Sequence, residues 1–171
     1  MKKIIVFLFV LTLVYLYFNK QDEIIIPTSS IRYRIIANSN NLEDQVLKLK
    51  IKNEINKEIM PIIENSDNID ESRKLIANNL NNINSILKKY TDEYKVTFGN
   101  NYFPEKTYKG INYESGNYES LVITIGSGLG ENWWCVLYPP LCLIDDENTT
   151  DIEYTTLVSK IVNNKWKSFR I

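Results

Sequence analysis

An unbroken apolar stretch opens the chain: Lys2 and Lys3 precede the run Ile4–Phe18, which only Thr12 interrupts. A positive start followed by such a run is typical of a secretory signal peptide. As a helix the run would rise about 22 Å, short of a hydrocarbon core of roughly 30 Å. No small-residue cleavage site follows it. We therefore predict that residues 1–20 are a signal peptide, or a signal anchor that tethers the protein to the membrane through residues 4–18, and that the domain is exported.

After a linker over residues 21–30, apolar positions alternate with Arg32 and Arg34, which predicts a strand over 31–37. A helix is expected to follow Asn41, with Asn41 and Asp44 forming a capping box, and Pro61 is expected to end or bend it near Met60. A second helix is predicted over 69–90. The expected buried stripes are Leu47, Ile51, Ile55, Ile59 and Ile63, joined by Val46, Leu49 and Ile62, then Leu75, Ile76, Leu80, Ile83, Leu87 and Tyr90.

From Tyr94 the pattern favours strands. We expect strands over 94–98, from Tyr102 onward and over 118–125, with turns at 99–101 and 116–117. A tight glycine turn over 126–130 would then join strand 118–125 to strand 133–138 as a hairpin. A weak third helix over 152–162 and a short strand or tail over 166–171 complete the prediction. The fold class is α+β over 31–171: two long amphipathic helices on a mainly antiparallel sheet.

One cysteine lies within the predicted strand 133–138 and the other lies shortly after it. Cys135 and Cys142 bracket Pro139 and Pro140, which stop the strand because proline cannot donate a ladder hydrogen bond. Export favours oxidation of the pair. We predict a structural Cys135–Cys142 disulfide that closes a small apolar turn, with two free buried thiols as the alternative.

Composition narrows the chemistry. The chain has no histidine, which excludes Ser-His-Asp and Cys-His nucleophile pairs and removes the commonest ligand of catalytic zinc. A net charge of −1 gives no electrostatic footprint for nucleic acid. The glycine run lacks a following helix and a Lys-Ser/Thr pair, so it predicts a turn and not a phosphate loop. We expect no metal site, no cofactor, no small-molecule substrate and no catalytic residue.

The aromatic segment Asn132–Leu141 is the candidate site. Trp133 and Trp134 are adjacent and would point to opposite faces of a strand. Core packing explains such a segment, but a rigid, partly exposed aromatic turn also has the character of an interaction hot spot, and tryptophan and tyrosine also favour membrane interfaces. The predicted contact or presentation residues are Asn132, Trp133, Trp134, Tyr138 and Leu141. Asn38 and Ser39 are candidates for partner binding or for a structural turn.

Three segments resemble signatures of the stage II sporulation protein R family. The first runs from Ile35–Ser39 through Glu43–Gln45 to Leu47–Lys50, the second is Asn132–Cys142, and the third is the shorter block Gly116–Leu121. In the second signature the position of Tyr138 is often phenylalanine. Together the resemblance spans roughly residues 31–143.

The resemblance implies a signalling protein of endospore-forming bacteria, made in the forespore and exported to the intermembrane space. There it would activate a membrane-embedded aspartic protease of the mother cell, which processes the precursor of sigma-E. It implies a ligand and not an enzyme. Two alternatives stay open: a secreted cell-wall hydrolase with a carboxylate pair, and a non-catalytic module that binds the wall or the membrane surface.

Overall fold

A computed structural model describes residues 2–18, 26, 29–108, 111–144, 157–158 and 160–161 of the chain. Its elements are α1 (Lys2–Phe18), β1 (Ile31–Ile36), α2 (Leu42–Glu64), α3 (Ile69–Leu87), β2 (Tyr94–Phe103), β3 (Lys106–Tyr108), β4 (Ile111–Tyr113), β5 (Gly116–Ile125), β6 (Asn132–Tyr138) and a 3₁₀ turn at Leu141–Ile144. The predicted α+β class is confirmed. Of the predicted third helix, only residues 157–158 and 160–161 are described, and they are helical; the predicted segment 166–171 lies outside the described residues.

Helix α1 coincides with the predicted apolar segment. Each of its described side chains is exposed. Within the described part of the chain, no helix combines the length and the apolar character needed to cross a membrane.

The four-stranded sheet has the order β2-β5-β1-β6. Strand β1 runs parallel to β5 and antiparallel to β6, and β2 runs antiparallel to β5. The predicted hairpin of β5 with β6 is therefore wrong, because β1 lies between them. The side chains of β1 are buried on both faces of the sheet, with Ile31, Tyr33 and Ile35 at 0% exposure and Arg32 at 2%. A strand buried on both faces is stable at the centre of a sheet, so the loop after β5 has to cross the end of β1.

The predicted turn at residues 99–101 is also wrong. Strand β2 continues through it and pairs with β5 without interruption from Tyr94↔Ile125 to Phe103↔Gly116. The predicted turn at 116–117 falls inside this same ladder. Continuous pairing with β5 satisfies the backbone hydrogen-bonding groups of the polar Gly99–Asn101 segment. Without that pairing, the residue types of this segment would favour a turn. Beyond Phe103 the chain forms the small hairpin β3–β4.

One face of the sheet packs against α2 and α3. The stripe of α2 is buried as predicted at Ile51, Ile55, Ile59 and Ile63, and Leu47 is half-buried. Val46 and Leu49 are 53% and 37% exposed, which corrects their assignment to the core. Pro61 lies in the last turn of α2, which continues to Glu64. In α3, which ends three residues earlier than predicted, the most buried positions of the predicted stripe are Ile76, Ile83 and Leu87.

The other face of the sheet carries a smaller cluster. Phe103, Tyr118 and Val122 are buried there, with Trp134 packed against them. Ile111 and Tyr113 of β4 pack with Val136 and Leu141 at the end of β6. The β3–β4 hairpin therefore covers part of the face opposite the helices.

Candidate functional site

Two loops interlock at the end of the sheet where β1 stops and β6 starts. The Asn38 side chain accepts a hydrogen bond from the backbone N–H of Ser127 at 2.9 Å, and the backbone of Leu129 donates to the Asn38 carbonyl at 3.1 Å. Asn40 accepts from the Glu131 N–H at 2.7 Å. Gly126 has φ +54°, and a Cβ placed on it would lie 2.4 Å from Asn38 Oδ1. The glycine loop therefore requires glycine at this position.

Asp44 joins helix α2 to the same turn. Its carboxylate accepts hydrogen bonds from Asn38 Nδ2 at 2.9 Å and from Ser39 Oγ at 2.6 Å. Asn41 is the N-cap residue as predicted, but its side chain forms no capping bond, and its N–H donates to Ser39 Oγ. The predicted Asn41–Asp44 capping box is therefore wrong, because Asp44 bonds the turn that precedes the helix. In this structure Asn38 and Ser39 serve the turn.

A buried lysine connects α2 to the start of β6. Lys48 is 6% exposed, and its Nζ donates to the Glu131 carbonyl at 3.0 Å and to Gln45 Oε1 at 2.5 Å. Burial lowers the pKa of Lys48; the charge of Glu131 opposes this shift and that of Lys106 adds to it. Sequence patterns place Lys48 on a polar helix face, so its burial was not predicted.

Trp133 and Trp134 lie on opposite faces of β6, as predicted, and both are half-buried. Trp133 packs edge-on against Tyr33 on the helix side, with ring centroids 5.2 Å apart, and Lys52 Nζ lies 5.1 Å from its ring. Trp134 packs edge-on against Phe103 at 5.3 Å, and Lys106 Nζ lies 5.0 Å from its ring. Each indole is thus fixed by one buried aromatic ring and approached by one lysine.

The predicted Cys135–Cys142 disulfide is present, with Cα atoms 5.6 Å apart. The turn that it closes is buried and not a partly exposed knuckle. Tyr138 and Leu141 are 1% and 0% exposed, so they offer no contact surface in this structure. The candidate contact residues that keep exposed surface are Asn132, Trp133 and Trp134.

A pocket of about 110 Å³ lies on the sheet face opposite the helices. Among the described residues it is lined by residues 132–135 of β6, by Arg32 and Phe103 of the sheet, and by Lys106 and Tyr113 of the small hairpin. None of these lining residues is a carboxylate, so the pocket does not supply the acid pair that a wall hydrolase needs. Nor do the described residues contain a cluster of three metal-ligating side chains.

Arg32 was not among the predicted site residues. Its guanidinium carbon lies 3.3 Å from the centroid of the Tyr118 ring, and one terminal nitrogen donates to the Glu114 carbonyl at 3.4 Å. Burial lowers its pKa, and Tyr118 is the largest of the influences that oppose this. Alternation marks Arg32 as outward-facing, but Phe103 of β2, Tyr118 of β5 and Tyr113 of the small hairpin place their rings over it and bury this side of the strand.

An exposed apolar group next to the interlocked loops was also missed. Leu129, in the glycine loop, is 82% exposed, and Leu42 at the start of α2 is 79% exposed. Both border the Asn38–Asn40 turn, in the sequence or through the Leu129–Asn38 hydrogen bond. The sequence signal that could have identified them is an apolar residue next to a polar turn.

Comparison with known proteins gives one consistent result. Residues 27–148 match the family model described as Stage II sporulation protein R (spore_II_R). The chain is 39% identical over 136 residues to the protein named Stage II sporulation protein R from Bacillus subtilis (strain 168). That match covers 76% of this chain and 61% of the relative, so it spans less than two thirds of the relative's length. No solved structure matches the chain significantly.

Proposed function

The chain belongs to the stage II sporulation protein R family of sporulation proteins, and from this premise we propose that it is an exported signalling ligand. It acts in the space between forespore and mother cell, free or tethered through residues 4–18. Its receptor is a membrane-embedded aspartic protease of the mother cell, which it activates to process the sigma-E precursor. It performs no chemistry itself.

The observation that carries this proposal is the position of the two half-buried tryptophans. Within the described residues, strand β6 lies at one edge of the sheet. Its first residues, Asn132–Trp134, keep exposed surface, while the disulfide-closed turn after it is buried. Tryptophans fixed by neighbouring rings and only partly covered are typical of the residues that dominate binding at protein interfaces. The buried disulfide and the interlocked loops hold β6 at its two ends, which supports a role in presentation.

The direct test reconstitutes the full-length chain in vesicles with the candidate protease and follows cleavage of the sigma-factor precursor on a gel. The informative variant is Trp134→Ala, and its matched control is Tyr102→Ala, because Tyr102 is an aromatic residue that is 60% exposed on the opposite edge strand. We expect cleavage to depend on the chain and to fall about 10- to 100-fold with Trp134→Ala, the usual range for an interface hot spot. Tyr102→Ala should keep the activity of the unsubstituted chain.

Precursor cleavage that proceeds equally without the chain would refute the ligand role. Equal losses for both variants would instead place the receptor contact outside β6. Binding of the full-length chain to murein or to protein-free vesicles, with no effect on cleavage, would favour the wall or membrane module.

A further inference from the structure

Two buried nitrogen donors belong to residues that line the pocket beside Trp134. Arg32 Nε and Trp134 Nε1 are both buried, and neither has a hydrogen-bond acceptor among the described residues. A buried donor without an acceptor costs about 1–3 kcal/mol, and such donors are rare in folded proteins. The two residues that carry these donors, Arg32 and Trp134, line this one pocket. A hydrogen-bond acceptor that enters the pocket would lie next to both residues.

The charges of the residues that line the pocket indicate which kind of acceptor would bind there. Arg32 and Lys106 contribute cationic groups, and the described lining contains no acidic side chain. The planar guanidinium donates its hydrogen bonds in a fork that matches a carboxylate. The cavity volume of about 110 Å³ leaves room for a side-chain carboxylate.

The surroundings of the pocket favour a protein as the source of that carboxylate. Strand β6 is paired on one side only within the described sheet, so an extended segment of another chain can approach along its outer edge. The half-buried Trp134 at the rim and Arg32 inside have the composition of an interface hot spot. We propose that this pocket binds the carboxylate of an acidic side chain on the protein partner. The identity of that partner rests on the function proposed above. The preference of the pocket for a carboxylate rests only on the residues that line it.

The test is a titration of the full-length chain in detergent, with ¹⁵N-labelled tryptophan, followed through the indole N–H signals. Trp134→Phe removes one indole signal and thereby assigns it among the three tryptophans. The probes are a capped tetrapeptide with one glutamate and the same peptide with glutamine, at constant ionic strength. We expect a saturable shift of the Trp134 signal with the glutamate peptide only.

Arg32→Gln should weaken that binding about 10- to 100-fold, the value of a hydrogen bond to a charged group. The matched control is Arg34→Gln. Arg34 lies on the same face of β1, stacks on Phe103 at 4.7 Å and also has an unpaired Nε, but it does not line the pocket. We expect this control to change the affinity by no more than about twofold.

Equal shifts with the glutamate and glutamine peptides would overturn the proposal, and this comparison needs only the unsubstituted protein. Saturation by inorganic phosphate as tight as by the glutamate peptide would also overturn it, in favour of a site for phosphate headgroups. In an active cleavage assay, the glutamate peptide should compete with the protease; absence of competition would exclude the protease as the partner. If the peptide binds as expected but the unsubstituted chain never activates the protease, the failure belongs to the proposed function and not to the chemistry of the pocket.

Discussion

The contact between Gly126 and Asn38 allows a quantitative test of the interlocked loops. Gly126→Ala places a methyl group at φ +54°, where an L side chain costs about 1–2 kcal/mol. The same methyl would lie 2.4 Å from Asn38 Oδ1 and would displace that side chain. Asn38 would then lose its hydrogen bonds with Ser127 and Asp44, together about 2 kcal/mol at a half-buried site. We expect Gly126→Ala to lower the free energy of unfolding by about 3–4 kcal/mol.

A double-mutant cycle separates the two contributions. Asn38→Ala alone should cost about 2 kcal/mol, because it removes the same hydrogen bonds without backbone strain. In the Asn38→Ala background, Gly126→Ala should add only the strain of about 1–2 kcal/mol, since no side chain remains to be displaced. The double variant should therefore be about 2 kcal/mol more stable than the sum of the single losses predicts.

The assay is urea unfolding of the full-length chain in mild detergent, without reductant, followed by circular dichroism. Asn40→Ala is the matched control, because Asn40 bonds the same loop through Glu131 but does not meet the new methyl. Its combination with Gly126→Ala should be additive within about 0.5 kcal/mol. Additivity of Gly126→Ala with Asn38→Ala would refute the assigned contact.

Two further stability predictions concern buried groups of β1 and β6. Replacing Cys135 and Cys142 with alanine should cost about 2–3 kcal/mol through loss of the loop constraint, measured by urea unfolding, and reductant should then have no further effect. Tyr33→Phe removes a buried hydroxyl without an acceptor among the described residues, so stability at pH 7 should stay equal or rise by about 1 kcal/mol. Burial raises the pKa of Tyr33 above its unfolded value of about 10, so this residue's contribution to stability is complete below pH 10 and is lost as the pH rises further. The Phe variant should lack this loss; an identical alkaline decline in both proteins would contradict the assignment.

The local pattern of the sequence was sufficient for α2, α3, β1 and β5, because each has a long apolar stripe with helical or alternating spacing. It was not sufficient for strand pairing. Strand β6 follows β5 across a glycine turn, which favours a hairpin, but the doubly buried β1 takes the place between them. Likewise, Gly99–Asn101 has the residue types of a turn but forms part of the long ladder with β5. Both errors concern contacts between distant segments, which local propensity does not encode.

For the candidate site too, local sequence patterns predicted some features and missed those that depend on distant residues. Alternation along β6 correctly placed Trp133 and Trp134 on opposite faces, and the cysteine spacing correctly indicated the disulfide. The burial of Tyr138 and Leu141 was not predictable from their segment, because Tyr138 joins the main core with residues of α2 and α3 and Leu141 packs with distant residues such as Ile111. The role of Arg32 was not predicted for a related reason. An arginine on the polar face of an alternating strand is normally exposed to solvent, but here aromatic rings from β2 and β5 enclose its guanidinium.

These differences assign two kinds of role to the candidate residues. Asn38 and Ser39 direct their side chains into hydrogen bonds with Asp44 and the glycine loop, so we expect them to affect partner binding only through the position of β6. Trp134 combines exposed surface with an unpaired donor, so it can contact a partner itself. A loss of signalling caused at Asn38 should therefore follow the loss of folding stability. At Trp134 the binding loss should exceed what the change in stability explains. The first and second of the three resembling segments lie side by side, because Ile35 and Ile36 of β1 pair with Trp133 and Asn132 of β6.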